Sequence, residues 1–156
     1  MPIDDLDKRI IASLVSDARA SYAEIGAKVS LSAPAVKRRV DRLRATGVIR
    51  GFTAVVDPAA FGWSTEAFVE LFCEGRTSPT QIAEATARLP EVVAAYTVSG
   101  EADALVHLRA ADIAHLEQAL ERLRAVPFVN STRSTIVLSR LVQTPGAGGV
   151  PGTGLA

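Results

Sequence analysis

The chain has 156 residues, of which 48% are apolar and 22% charged, with 17 basic and 17 acidic side chains in balance. That suffices for one domain or two small ones with a real core, and no apolar run approaches a membrane span. A single cysteine, Cys73, excludes an intrachain disulfide and a multi-cysteine metal site. The N-terminus lacks a secretory pattern, so a cytoplasmic setting is expected.

The neutral total hides an asymmetry. Residues 1–50 hold ten Lys/Arg against six Asp/Glu, and residues 51–156 hold seven against eleven. A basic half joined to an acidic half predicts two modules with different partners.

The basic half reads as three helices. In "DDLDKRIIASLVSD" (4–17), Leu6, Ile10 and Leu14 recur one turn apart. Asp4 and Asp5 stand where an N-cap and first-turn acids belong. "SYAEIGAKV" (21–29) repeats the pattern, with Ser21 as cap and Tyr22, Ile25 and Val29 on one face. After a turn too short for anything else, Ser32 caps a third helix and Pro34 fits its first turn. Lys37, Arg38, Arg39, Arg42 and Arg44 crowd that helix beside one acid, Asp41. At 100° per residue, Val36, Val40 and Leu43 form an apolar stripe. Arg38 and Arg42 fall roughly opposite it, with Ala35 between them; Arg39 lies on one flank and Lys37 and Arg44 on the other. Thr46-Gly47 ends the helix.

Basic charge alone would fit a solvated helix. Combined with three helices, a tight turn and small residues at the leading end, it points to a helix-turn-helix DNA reader. Lys37, Arg38, Arg39 and Arg42 would meet phosphates. Ser32, Ala33 and Ala35 would let the helix enter a major groove about 12 Å wide.

The next segment, "VIRGFTAVVDPAAFG" (48–62), alternates loosely and reads as a strand-like connector before a Pro/Gly break. The acidic half then reads β-α-β-β-α-β: strands at 65–75, 91–100, 103–109 and 131–142, helices at 78–89 and 111–126. The first helix presents Ile82, Ala85, Thr86 and Leu89, and the second Ile113, Leu116, Leu120 and Leu123. This order is the split βαβ, ferredoxin-like arrangement, with helices on one sheet face. The other face carries Phe68 and Phe72 or, in the opposite phase, Val69 and Leu71. Neither set suits water, so a dimer with sheet packed on sheet is expected. The Gly/Pro-rich tail, 143–156, reads as disordered.

The expected fold class is therefore α+β: an N-terminal (winged) helix-turn-helix domain, 1–50, a connector, 51–62, and a ferredoxin-like effector and oligomerisation domain, 63–142. Gly100, in "SGEAD" (99–103), would permit a positive φ and a close approach by a ligand. Exposed amides there suit a carboxylate, and Glu101 or Asp103 suits an ammonium group. A plain hairpin turn explains the same residues. His107 and His115 lack metal-ligand spacing, Cys73 reads as a small apolar residue, and no phosphate loop or catalytic dyad appears. No cofactor is expected.

Three stretches carry a family resemblance: "LDKRIIASLVSDAR", "YAEIGAKVSLSAPAVKRRVDRLRATGVI" and "VSGEADALV" (98–106). Across residues 3–142 the chain resembles the leucine-responsive/asparagine-responsive (Lrp/AsnC, feast/famine) bacterial transcription regulators. "VSGEADALV" is similar to that family's Gly-x-x-Asp turn. The resemblance implies a cytoplasmic, non-enzymatic DNA-binding regulator whose dimers assemble into tetramers, octamers or larger. It implies a small effector, often an amino acid, bound between dimers near the turn. The matching positions are Ser99, Gly100, Glu101, Ala102 and Asp103; Ser131, Thr132 and Thr135 match more loosely. Ser30 departs from the family's usual Gly, which predicts a slightly altered turn.

Two rivals follow. Sirohaem decarboxylases resemble this family and use histidines and arginines around a tetrapyrrole; this connector has Arg50 and no histidine. An architectural DNA-binding protein indifferent to small molecules is the other.

Overall fold

The computed structural model describes residues 3–142, so the tail expected from 143 onward lies outside the described residues. The chain divides between Ala54 and Val55 into two compact units. No helix among the described residues is long and apolar enough to cross a membrane.

The first unit is three helices: α1 (Asp5–Ser16), α2 (Tyr22–Val29) and α3 (Ala33–Ala45). Their apolar stripes meet in one core of Ile10, Leu14, Ile25, Val29, Val36 and Val40. Each helix is capped as its sequence dictates. The side chains of Asp4, Ser21 and Ser32 accept from the amides of Asp7, Glu24 and Ala35, satisfying donors the helix leaves open. Ser30 takes the left-handed conformation itself, φ 59° and ψ 44°. The turn thus keeps its geometry at the cost of some backbone strain, rather than changing shape. Gly26 is the position that tolerates no side chain: a Cβ there would sit 2.3 Å from the carbonyl oxygen of Leu31. Gly47, φ 73°, ends α3.

The connector is not a strand. Residues 50–57 form no strand pairing among the described residues, and a short 3-10 turn follows at Pro58–Phe61. The unit has no second extended segment to pair with, and a lone strand cannot satisfy its backbone. The expected wing is therefore absent among the described residues.

The second unit is β1 (Thr65–Cys73), α4 (Pro79–Thr86), β2 (Val92–Thr97), β3 (Ala104–Ala110), α5 (Ile113–Arg124) and β4 (Val129–Ile136). The sheet order β2-β3-β1-β4, antiparallel throughout, is the ferredoxin-like one. Register decides which face each residue takes. Ala67, Val69 and Leu71 of β1 join Ala104, Val106 and Leu108 of β3 under Ile82, Leu116, Ala119 and Leu123 of the helices. Phe68 and Phe72 take the helix-free face, opposite His107 and Ser131.

Two element ends and one stripe residue differ from expectation for a physical reason. α4 stops at Thr86, whose hydroxyl bonds back to the Ile82 carbonyl; Pro90 disfavours helix at Leu89, which still packs on the core. The last strand ends at Ile136 because β1 has little beyond Ala67 to pair with; one more bond joins the Val137 amide to the Glu66 carbonyl. Ile113, at the start of α5, is exposed, and Ala119 fills the stripe instead.

Candidate nucleic-acid interface and effector turn

α3 carries its cations on three sides, and they have different fates. Lys37 reaches Asp41 one turn on, at 2.6 Å, which also raises the Lys37 pKa. Arg39 donates from Nη1 to Asp4 Oδ2 (2.7 Å) and Asp7 Oδ1 (2.8 Å). Arg42 donates from Nη2 to both Asp7 oxygens, each at 2.6 Å. The wheel that placed Arg42 beside Arg38 on the outward side is corrected by the length of the arginine stem. It carries the guanidinium around the helix to an acid 35 residues earlier. Arg38 and Arg44 stand exposed and form no ion pair among the described residues. Pro34, Arg38 and Asp41 fall at i, i+4 and i+7, one line along the solvent side. Ser32 and Pro34 at the leading end are exposed, and Ala33 and Ala35 are half-buried.

Asp7 is the residue the sequence reading missed. Its carboxyl is 1% exposed. It closes a capping box with Asp4, accepting from the Asp4 amide at 3.2 Å. The Asp-x-x-Asp spacing at the start of α1 was the available signal. Arg39's hydrogen bond holds the Asp4 carboxyl below the usual carboxylate range.

In the second unit, residues 98–103 link β2 to β3. Ser99, Gly100, Glu101 and Asp103 are exposed, while Ala102 is buried and presents no side chain to solvent. Gly100 is not at positive φ, so the conformational reason for it fails. A Cβ there would meet nothing within 4 Å among the described residues. Asp103 accepts from the Cys73 amide at 2.7 Å, and its own amide donates to the Leu71 carbonyl. The turn is thereby pinned to the end of β1. Glu101 lies 3.8 Å from Arg133, both well exposed. Arg133 also reaches Glu70 at 3.2 Å and sits over the Phe72 ring. It joins the turn to the helix-free face, and no local motif announced it.

The looser positions do not share a surface. Ser131 and Thr135 pair with Phe72 and Phe68 on the helix-free face. Thr132 pairs with Leu71 on the other face, where its hydroxyl accepts from Arg124 at 3.1 Å. The helix-free face also holds an ionic cluster in which Glu66 pairs with His107 and Arg140. His107 stacks on Phe68 with ring centroids 4.7 Å apart. Among the described residues no cluster of three or more His, Cys, Asp and Glu is placed to hold a metal.

Residues 3–44 match the AsnC-type helix-turn-helix domain, and residues 66–147 match the Lrp/AsnC ligand binding domain. The chain is 57% identical over 140 residues to the HTH-type transcriptional regulator Rv2324 of Mycobacterium tuberculosis, covering 90% of this chain and 95% of that one. It is 34% identical to the HTH-type transcriptional regulator FL11 of Pyrococcus horikoshii, covering 92% and 95%. Among solved structures, Escherichia coli AsnC superposes with a TM-score of 0.85 at 26% identity, covering 92% and 97%. A feast or famine regulatory protein from M. tuberculosis, solved with L-methionine, gives 0.85 at 32%, covering 96% and 100%. A basic helix-turn-helix unit, an antiparallel ferredoxin-like unit and these matches together make the chain a member of the Lrp/AsnC family of DNA-binding transcriptional regulators.

Proposed function

We propose that the chain is a homodimeric cytoplasmic regulator that reads duplex DNA with α3 and answers to an amino acid bound at the 98–103 turn. The dimer forms through the helix-free sheet face, and the effector lies where dimers meet. Arg38 leads the phosphate contacts, with Lys37 and the Ser32–Ala35 end close to the groove. The Lrp/AsnC match and the L-methionine complex of a relative support the amino acid as effector class.

The observation that carries the effector reading is Gly100. It occupies a turn that demands neither a positive φ nor space within the chain. A residue without a side chain there leaves exposed backbone amides open to a carboxylate. The acids beside it, Glu101 above all, suit an ammonium group. Asp103 contributes chiefly by pinning the turn.

A melting-temperature screen against the twenty amino acids tests this. A ligand that binds only the folded chain, present at 100 times its dissociation constant, adds about 2.7 kcal/mol. One or a few amino acids should raise the midpoint and change the sedimentation of the assembly. If none does while the protein still binds DNA, the effector reading fails and the architectural one replaces it.

A further inference from the structure

We propose that Asp7 sets how selectively α3 reads DNA, by holding Arg39 and Arg42 off the phosphates. The proposal rests on α3 being the DNA-reading helix.

Asp7 stands at the third position of α1, where the open end of the helix favours a carboxylate. It takes three hydrogen bonds from two arginines on α3 and is 1% exposed. Asp4 takes a fourth, from Arg39. Two acids and two arginines make a quartet with no net charge. Moving either guanidinium to a phosphate would take a charged partner from a buried carboxylate, and moving both would leave it the Asp4 amide alone, which costs more than an exposed cation–phosphate contact returns.

α3 therefore shows DNA a smaller charge than its sequence suggests. Of its five cations, two are closed on α1, Lys37 is shared with Asp41, and Arg38 and Arg44 have no ion pair among the described residues. Phosphate contacts bind every sequence alike, while base-edge contacts discriminate. Withholding two arginines lowers the indiscriminate part and leaves the discriminating part intact.

The full-length protein with Asp7→Asn is the test. Its binding to a mixed-sequence duplex and to a duplex selected by the parent from a random pool is measured across salt concentrations. Non-specific affinity should rise, and the preference for the selected duplex should fall. The slope of log affinity against log salt should steepen by about 0.9 for each arginine released. Asp17→Asn removes a charge just past the end of α1 without releasing an arginine, and should leave the slope alone. A folded Asp7→Asn protein with an unchanged or shallower slope overturns the proposal. If that variant does not fold, Arg39→Gln decides. A slope flattened by about 0.9 puts Arg39 on a phosphate and overturns the proposal; an unflattened slope upholds it. Arg38→Gln tests the underlying assignment separately. If it leaves the slope untouched, α3 is not the reading helix.

Discussion

In the three-helix unit, a buried acid draws two arginines inward and the apolar stripes of all three helices meet in one core. In the four-stranded unit, helices cover one sheet face, and the other presents Phe68, Phe72, Leu105 and Tyr96 among Glu66, Glu70, His107 and Arg133. A surface that meets DNA needs few, well-placed cations and no apolar patch. A surface that meets its own copy needs apolar area with charges of both signs, which a second copy can match. The glycines differ in the same way. Gly26 is dictated from within, by the Leu31 carbonyl; nothing among the described residues requires Gly100.

The largest effect expected follows from Gly26. Gly26→Ala drives a methyl group into a backbone carbonyl rather than into a movable side chain. The helix-turn-helix should lose about 3 kcal/mol, at the upper end of overpacking costs, and DNA binding with it. Ligand-induced stabilisation of the second unit should survive, since the two units are separate compact bodies. A variant that binds DNA as the parent does would show that the turn relaxes freely.

The helix-free face is tested by Phe72→Asp. Phe72 is half-buried beneath Arg133 in the single chain, so folding should persist. At the centre of a dimer interface an added carboxylate should weaken association about a hundredfold, the scale of an interface hot spot. If the proposed dimer forms through this face, sedimentation should find the variant monomeric at concentrations where the parent associates. An unaltered dimer would place the interface elsewhere.

Acid should also act on this unit first. Burial pushes the His107 pKa below 6.5, against the pull of Glu66; Arg109 and Arg140 add to the lowering. The unfolded chain then takes up this proton before the folded one does, so stability is lost as pH falls below 6.5. Burial pushes Glu66 up, but Arg140 and His107 outweigh it and its pKa is lowered. Glu91 is lowered in the same way, burial being outweighed by a backbone hydrogen bond, His115 and Arg122. Both carboxylates therefore add a second loss as pH falls below 4.5. His107→Gln should abolish the first loss and keep the second. Parallel melting curves for parent and variant between pH about 8 and about 5 would remove His107 from this account.

Much of this was legible in the sequence because it is local. Caps at Asp4, Ser21 and Ser32, the stripe of Val36, Val40 and Leu43, and the strand–helix order each follow from neighbours a turn or a strand apart. What was not legible is long-range. Asp7 and Arg42 are 35 residues apart, and a helical wheel records where a stem leaves the helix, not where a guanidinium arrives. The phase of β1 was ambiguous for the same reason: Phe68/Phe72 and Val69/Leu71 are both apolar, and only pairing with β3 and β4 decides which set the helices cover. The connector misled because β-rich composition does not supply a partner strand. At the 98–103 turn the family pattern pointed to a loop, but not to the burial of Ala102 or to Thr132 facing away from Ser131.

The smallest effect expected on the empty protein, and the most informative, belongs to Gly100→Val. With nothing within 4 Å of the new Cβ and an ordinary φ, the unliganded midpoint should stay within about 0.5 kcal/mol of the parent. The amino acid that stabilises the parent should stabilise this variant far less, because the added bulk covers the amides a carboxylate would approach. Asp103→Ala serves as the contrast. It leaves the Cys73 amide without its 2.7 Å partner and should cost about 1 kcal/mol before any ligand is added. Calorimetry with the screened amino acid, beside melts of the empty proteins, separates the two roles. If Gly100→Val binds that amino acid as tightly as the parent, the glycine is not there for a ligand and the effector lies away from this turn. If Gly100→Val instead melts early, some contact within the assembly crowds Gly100, and its openness in the single chain reports an interface between copies.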